Sequence, residues 1–89
     1  MTLKEVGIVI GKKLVTSNCE YRKPPRVIVA FASTEIKGKS LLIGECGRGH
    51  TVGQAKADYC KKIKGQILIT DAMLKTRKEI QMPPKITVR

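Results

Sequence analysis

The chain has 89 residues, the length of one domain spanning residues 1–89, because half of this length could not bury a core of its own. Hydrophobic residues make up 42% but aromatic residues only 3%, so the predicted core is aliphatic. Eighteen Lys and Arg against seven Asp and Glu give a net charge of +11, which favours polyanionic partners. The apolar runs are too short to span a bilayer, and large apolar anchors are lacking, so a membrane is not an expected partner.

The three cysteines, Cys19, Cys46 and Cys60, are an odd number at irregular spacing, and no signal peptide precedes them. This pattern favours reduced thiols and a cytoplasmic location over a secreted disulfide scaffold. Together with His50 the cysteines supply four potential zinc ligands. Their spacing lacks the Cys-x-x-Cys pair that brings two thiolates together, so we predict no metal and no cofactor.

The N-terminal half is predicted to consist of strands and turns. In KEVGIVIGKKLVTS each glycine would cost a helix about 1 kcal/mol, and the β-branched residues favour two short strands with a turn at Gly11-Lys12. The proline pair in SNCEYRKPPR indicates a loop. RVIVAFAS is apolar on both faces, which is typical of a central strand. LLIGEC is predicted to pair with it as a hairpin turning through Gly38.

A helix is predicted over residues 51–64. Thr51 to Gln54 matches a capping box, and Gly65 is placed to end the helix with positive φ. At 100° per residue, Lys62 and Lys64 are expected on one side, away from the stripe that packs on the sheet. The residues of that predicted stripe are Val52, Ala55, Tyr59 and Ile63.

QILIT and residues 78–82 are predicted strands, and Pro83-Pro84 ends the second one. The predicted fold is therefore an α+β domain. It has a mostly antiparallel sheet of five or six short strands, with the one helix packed on one face.

The segment GRGHT allows two interpretations. Backbone amides at a helix N-terminus form a natural anion site, to which Arg48 would add a guanidinium. Alternatively, Gly47 and Gly49 only permit a tight turn between strand and helix, since a lone Gly-x-Gly is weak as a motif. Catalysis has less support. The single histidine and the scattered carboxylates form no evident acid–base pair, and Cys46 with His50 lacks a third orienting group, so we predict no enzyme.

Because the basic residues are spread along the chain, a folded basic face is expected to contact nucleic acid through backbone phosphates. Tyr21, beside basic residues, could stack on a base. The alternative is an interaction protein whose basic face meets an acidic protein partner. The predicted phosphate contacts are Arg48, Lys56, Lys61, Lys62 and Lys64, with Arg22, Lys23, Lys37 and Lys39 as a second set.

Two resemblances add to this reading. KSLLIGECGRGHTVGQAKADYCKKI resembles the second half of a double-stranded-RNA-binding domain, where a strand, a Gly-x-Gly turn and a capped helix follow one another. The resemblance implies phosphate contact by Lys56 and the loop amides. Val52 and Gly53 stand where that family has lysines, and its N-terminal helix corresponds here to predicted strands.

Residues 26–83 are similar to small bacteriophage and prophage proteins. The likeness rests on the pattern Gly-x-Gly-x-Thr-x-x-x-Ala-x-x-Asp-Tyr-Cys, followed by Ile-x-Gly, a short apolar strand and RKEIQMP. It implies a phage-encoded protein in the host-cell cytoplasm that acts on nucleic acid or inhibits a host defence protein.

Overall fold

A computed structural model describes residues 1–18 and 26–88 in full, together with the backbone of Cys19. Within these residues, two helices and seven strands form an α+β fold with two antiparallel sheets, which confirms the predicted class. The second helix and the division into two sheets were not predicted. The elements are α1 (Leu3–Ile10), β1 (Leu14–Cys19), β2 (Arg26–Phe31), β3 (Thr34–Lys37), β4 (Leu42–Ile43), β5 (Gly47–Gly49), α2 (Val52–Ile63), β6 (Ile67–Thr70) and β7 (Lys78–Gln81).

The predicted strands before Gly11 are wrong, because this segment is helix α1. Thr2 and Glu5 form a complete capping box, in which each side chain accepts a hydrogen bond from the other residue's backbone N–H. Gly11 ends the helix in the left-handed conformation at φ 68°. The caps satisfy the helix ends, and burial of an apolar stripe outweighs the cost of glycine and β-branched residues. That buried stripe is Leu3, Val6 and Ile10.

The first sheet has the order β1-β2-β5, with β2 in the centre as predicted. The predicted hairpin between RVIVAFAS and LLIGEC is wrong, because β2 pairs with β1 and β5, and β4 pairs with β3. Ser33, at φ 51°, turns the chain out of this sheet after β2. The turn at Gly38 is confirmed, since its N–H donates to the Leu41 carbonyl at 2.8 Å, but it joins β3 to β4.

The second sheet has the order β4-β3-β6-β7. Strands β6 and β7 lie where QILIT and residues 78–82 predicted them, and they pair with each other in antiparallel register. Gly65, with φ 69°, follows α2 as predicted, and its N–H donates to the Pro83 carbonyl at 2.8 Å. The proline pair therefore sits against the end of α2 instead of trailing away from the fold.

Tyr59 connects the helices to the first sheet. Its side chain is buried, its ring lies 5.7 Å from the ring of Phe31, and its hydroxyl accepts the Phe31 N–H at 3.2 Å. Gly7 of α1 also approaches Phe31, so closely that a Cβ would lie 3.0 Å from the ring. Both helices thus meet at the end of β2, and this junction positions the surfaces described next.

Candidate nucleic-acid interface

The two glycines of GRGHT are explained by packing. They belong to strand β5, and the places where their Cβ atoms would lie are filled by α2. A Cβ on Gly47 would overlap the Ala55 carbonyl oxygen and come within 2.5 Å of the Tyr59 Cβ. A Cβ on Gly49 would lie 2.6 Å from the Gln54 Cβ. Glycine is required at both positions because the helix lies directly on the strand.

Two amides of this segment already have acceptors inside the protein. The Arg48 N–H donates to the Asp58 carboxylate at 2.9 Å, and the His50 N–H donates to the Gln54 side-chain oxygen at 3.0 Å. Thr51 caps α2 by accepting the Gln54 N–H at 3.1 Å, so only half of the predicted capping box forms. The acidic and amide side chains of α2 occupy the place where the anion interpretation puts an external phosphate.

Lys62 is held in the same network. Its ammonium donates to the Cys46 carbonyl at 2.9 Å and lies 3.1 Å from the Asp58 carboxylate and 3.7 Å from that of Glu45. The Arg48 amide, followed by Lys62, lowers the pKa of Asp58. Lys62 is therefore neutralised by internal carboxylates, which makes it a weaker phosphate contact than its position on α2 predicts.

An Asp58→Asn variant should show less loss of stability in acid than the parent chain. Because the folded-state pKa of Asp58 is lowered, the ionised carboxylate stabilises the fold at neutral pH. That contribution disappears as the pH falls through the lowered pKa. Thermal unfolding at pH 7 and pH 3 measures the difference, with Glu35→Gln as the control. An equal acid-induced drop in Tm for Asp58→Asn and the parent chain would contradict this role.

The lysines of α2 divide between two flanks of the helix. The prediction that Lys62 and Lys64 share one side is wrong: α2 ends at Ile63, and Lys64 just beyond it lines a groove with Lys85, whereas Lys62 pairs with Asp58. Lys62 lies on the flank toward β5, where it lines one depression with Asp58, Arg48 and Arg26. Lys56, Lys61 and Lys64 lie on the other flank, toward α1 and the C-terminal segment 83–88. Val52 is also misplaced by the prediction: it is 42% exposed, whereas Ala55, Tyr59 and Ile63 are buried as predicted.

Two adjoining grooves run along this second flank and meet at Val88. The α1 groove, of about 470 Å³, lies between α1, β1 and α2; the C-terminal groove, of about 260 Å³, lies between α2 and residues 84–88. Among the residues lining them, no carboxylate is present. We call the six lysines that line these grooves without an ion pair to any described residue the lysine band: Lys4, Lys13, Lys56, Lys61, Lys64 and Lys85.

The remaining predicted contacts lie elsewhere. Arg48 is exposed beside Arg26 and His50 in a separate depression, which also contains Asp58. Lys37 pairs with Glu79 at 2.9 Å, and Lys39 is exposed in the turn that follows β3. Arg22, Lys23 and the suggested stacking residue Tyr21 fall outside the residues that the structure describes.

Half of the lysine band was missed by sequence reasoning. Lys4 comes from α1, Lys13 from the turn before β1, and Lys85 from the segment after Pro84. Lys4 was missed because the segment of α1 was predicted as strands. A local signal could have indicated Lys85, because MPPKI places this lysine between two apolar residues, Met82 and Ile86. In the structure both apolar residues are buried and Lys85 is exposed.

Cys46 and Cys60 are free thiols, and burial raises the pKa of the Cys60 thiol. Among the side chains that the structure describes, no three His, Cys, Asp or Glu come together in a way that could hold a metal ion. Neither described helix has the length and apolar character needed to cross a membrane.

Comparison of the chain with protein-family models, with curated proteins and with solved structures gave no match. Both resemblances noted above therefore stay predictions. One departure from the double-stranded-RNA-binding pattern disappears, since the N-terminal segment is a helix. Two others remain: Val52 and Gly53 in place of lysines, and strand β6 after α2.

Proposed function

We propose that the protein binds nucleic acid through backbone phosphates on the lysine band, in the setting of a phage or another mobile element. The supporting observation is the band itself: two adjoining grooves whose lining contains lysines and no carboxylate. Side chains that lack an internal partner lose no ion pair when they bind a phosphate. Neutralising several phosphates releases condensed counterions, and this release supplies most of the affinity in sequence-independent binding.

The other basic surfaces are less suited to this role. The depression around Arg48 contains Asp58, which would repel a phosphate, and Lys62 there is already paired. The cations near the β3–β4 turn share Glu79, which lies 2.9 Å from Lys37 and 4.0 Å from Arg77. Among the residues that the structure describes, the lysine band is therefore the surface on which the excess of cations is least compensated.

The test is a triple variant, Lys61→Gln, Lys64→Gln and Lys85→Gln, which keeps side-chain bulk and removes three charges from the C-terminal groove. Its matched control, Lys39→Gln, Lys75→Gln and Lys78→Gln, removes three exposed charges outside the band. At about 0.1 M salt the band variant should lose on the order of 100-fold in affinity if three phosphate contacts are lost. The control should change the affinity by less than about threefold, the size of a general charge effect.

Fluorescence anisotropy with labelled duplex DNA, duplex RNA and single strands measures both variants. With every nucleic-acid probe that binds, the band variant should have a lower affinity than the control variant, because phosphates are common to all the probes. Equal losses in the two variants would mean that net charge alone drives association. Tight binding by the band variant would exclude the lysine band as the contact surface.

A second candidate function rests on exposed apolar residues. Leu41, Leu42 and Ile43 are 74%, 36% and 44% exposed, and the last two form β4, which lies at an edge of its sheet. An exposed apolar edge strand favours pairing with another protein. The phage likeness implies inhibition of a host defence protein. Pull-down from nuclease-treated host lysate separates the two functions, since a stoichiometric partner retained by the parent chain and lost in Leu42→Glu favours this one.

A further inference from the structure

The α1 groove has a second property that phosphate binding does not use. Its floor is apolar and is formed by side chains from α1, β1, β2 and the C-terminal segment. Four lysines, Lys4, Lys12, Lys13 and Lys56, complete its lining. The apolar members of the lining are Leu3, Ile8, Leu14, Phe31 and Val88.

Helix α1 leaves apolar side chains uncovered beside this groove. Ile8 is 73% exposed and Val9 is 54% exposed, although the helix buries its other face in the core. The exposed face of α1 also carries Lys4 and Glu5, so exposed apolar and charged side chains lie next to each other there. A second copy of this chain is a poor cover, because it would bring the same lysines together on a protein of net charge +11.

Charge and shape together select the ligand. Small-molecule sites are typically about 300–1,000 Å³, mostly apolar and fitted with a few polar groups, and the α1 groove of about 470 Å³ matches this description. Lysine stems add apolar surface while their ammonium groups stay at the rim. Lys12 is fixed there by its ion pair with Asp71 at 2.7 Å, which leaves Lys4, Lys13 and Lys56 to bind an anionic group.

We infer that the α1 groove binds a small amphiphilic anion, with its apolar body on the floor and its carboxylate, sulfate or phosphate group at the lysine rim. This inference does not rest on the proposed function. A polyphosphate strand needs no apolar floor, and the ligand proposed here needs only one charge. The two surfaces share Lys56, Lys4 and Lys13, so a bound amphiphile would compete with nucleic acid at this end of the lysine band.

The experiment uses five probes that vary charge and apolar body separately: octanoate, hexanoate, acetate, 1-octanol and octyltrimethylammonium. Methyl NMR follows Ile8, Leu14 and Val88 in the groove, with Ile43 on β4 as the distant reporter. Octanoate should give saturable shifts at the groove methyls and leave Ile43 unchanged. Hexanoate, shorter by two CH₂ groups, should bind about 15-fold more weakly if the chain is fully buried.

Each other outcome overturns the inference. Affinity for 1-octanol or octyltrimethylammonium equal to that for octanoate would mean a purely apolar patch, and equal affinity for acetate would mean a purely electrostatic one. Shifts of similar size at Ile43, or no shifts at all, would mean that the groove is no specific site. An Ile8→Ser variant should lower octanoate affinity several-fold, whereas Ile43→Ser, also at an exposed isoleucine, should not. Ile8→Ser should leave nucleic-acid affinity unchanged, so failure of this site is distinguishable from failure of the proposed function.

Discussion

A Gly47→Ala variant is expected to lose at least about 3 kcal/mol of unfolding free energy, the upper end of the cost of overpacking. The new methyl group would overlap the Ala55 carbonyl oxygen and lie 2.5 Å from the Tyr59 Cβ and 2.6 Å from the Tyr59 backbone nitrogen. Two of these three atoms are backbone, so a rotamer change cannot relieve the clash. Strand β5 and helix α2 would have to separate, which would disturb the contact between Tyr59 and Phe31 as well.

For a domain of this size, such a loss lowers Tm by roughly 12–24 °C. Two alanine substitutions nearby serve as controls. Gly53→Ala, inside α2, meets only the Thr51 hydroxyl at 3.9 Å and should raise stability by about 0.5–1 kcal/mol through helix propensity. At Gly44 an added Cβ meets no atom within 4 Å. A Tm for Gly47→Ala equal to the Tm of the two control variants would contradict the close packing of α2 on β5.

The C-terminal half of the fold was predictable because its signals are local. The threonine cap, the apolar spacing and the glycine that follows placed α2 to within a residue of its observed start. The short apolar run of β6 was equally clear, whereas β7, which is mostly polar, was predicted only as a short strand before the Pro83-Pro84 break. In such segments, capping, periodicity and turn chemistry all favour the same structure, which is the condition for reliable inference from one sequence.

Helix α1 illustrates the opposite case. Its one internal glycine and four β-branched residues favour a strand locally, yet Thr2 and Glu5 cap a helix. Gly7 allows that helix to approach Phe31, with a Cβ position only 3.0 Å from the ring. This contact depends on a residue 24 positions away and is invisible to propensity. The division into two sheets was not predictable either. The chain leaves the first sheet at Ser33, which adopts positive φ although it is not a glycine.

The candidate site was predicted in part. Lys56, Lys61 and Lys64 were among the predicted contacts, and all three line the two adjoining grooves. Lys62 is paired internally: its ion pair with Asp58 follows the i,i+4 spacing of a helix and could have been predicted, whereas Glu45 comes from the loop before β5 and could not. Lys4, Lys13 and Lys85 joined the band through tertiary packing of segments far apart in the chain.

Binding to duplex DNA is expected to depend steeply on salt. If about five phosphates are neutralised by the lysine band, log affinity should fall with log salt at a slope near −4 to −5. Between 50 and 200 mM monovalent salt, the affinity should then fall roughly 250- to 1,000-fold. The triple variant of Lys61, Lys64 and Lys85 should make the slope shallower by about 2 to 3, whereas the control triple variant should leave it nearly unchanged.

The most direct measurement is therefore the salt titration of duplex-DNA affinity for the parent chain and the two triple variants. The lysine band predicts a slope near −4 to −5 that becomes shallower only when band lysines are replaced. A flat response to salt, the same slope in all three proteins, or no binding at 50 mM salt would contradict phosphate recognition by this surface.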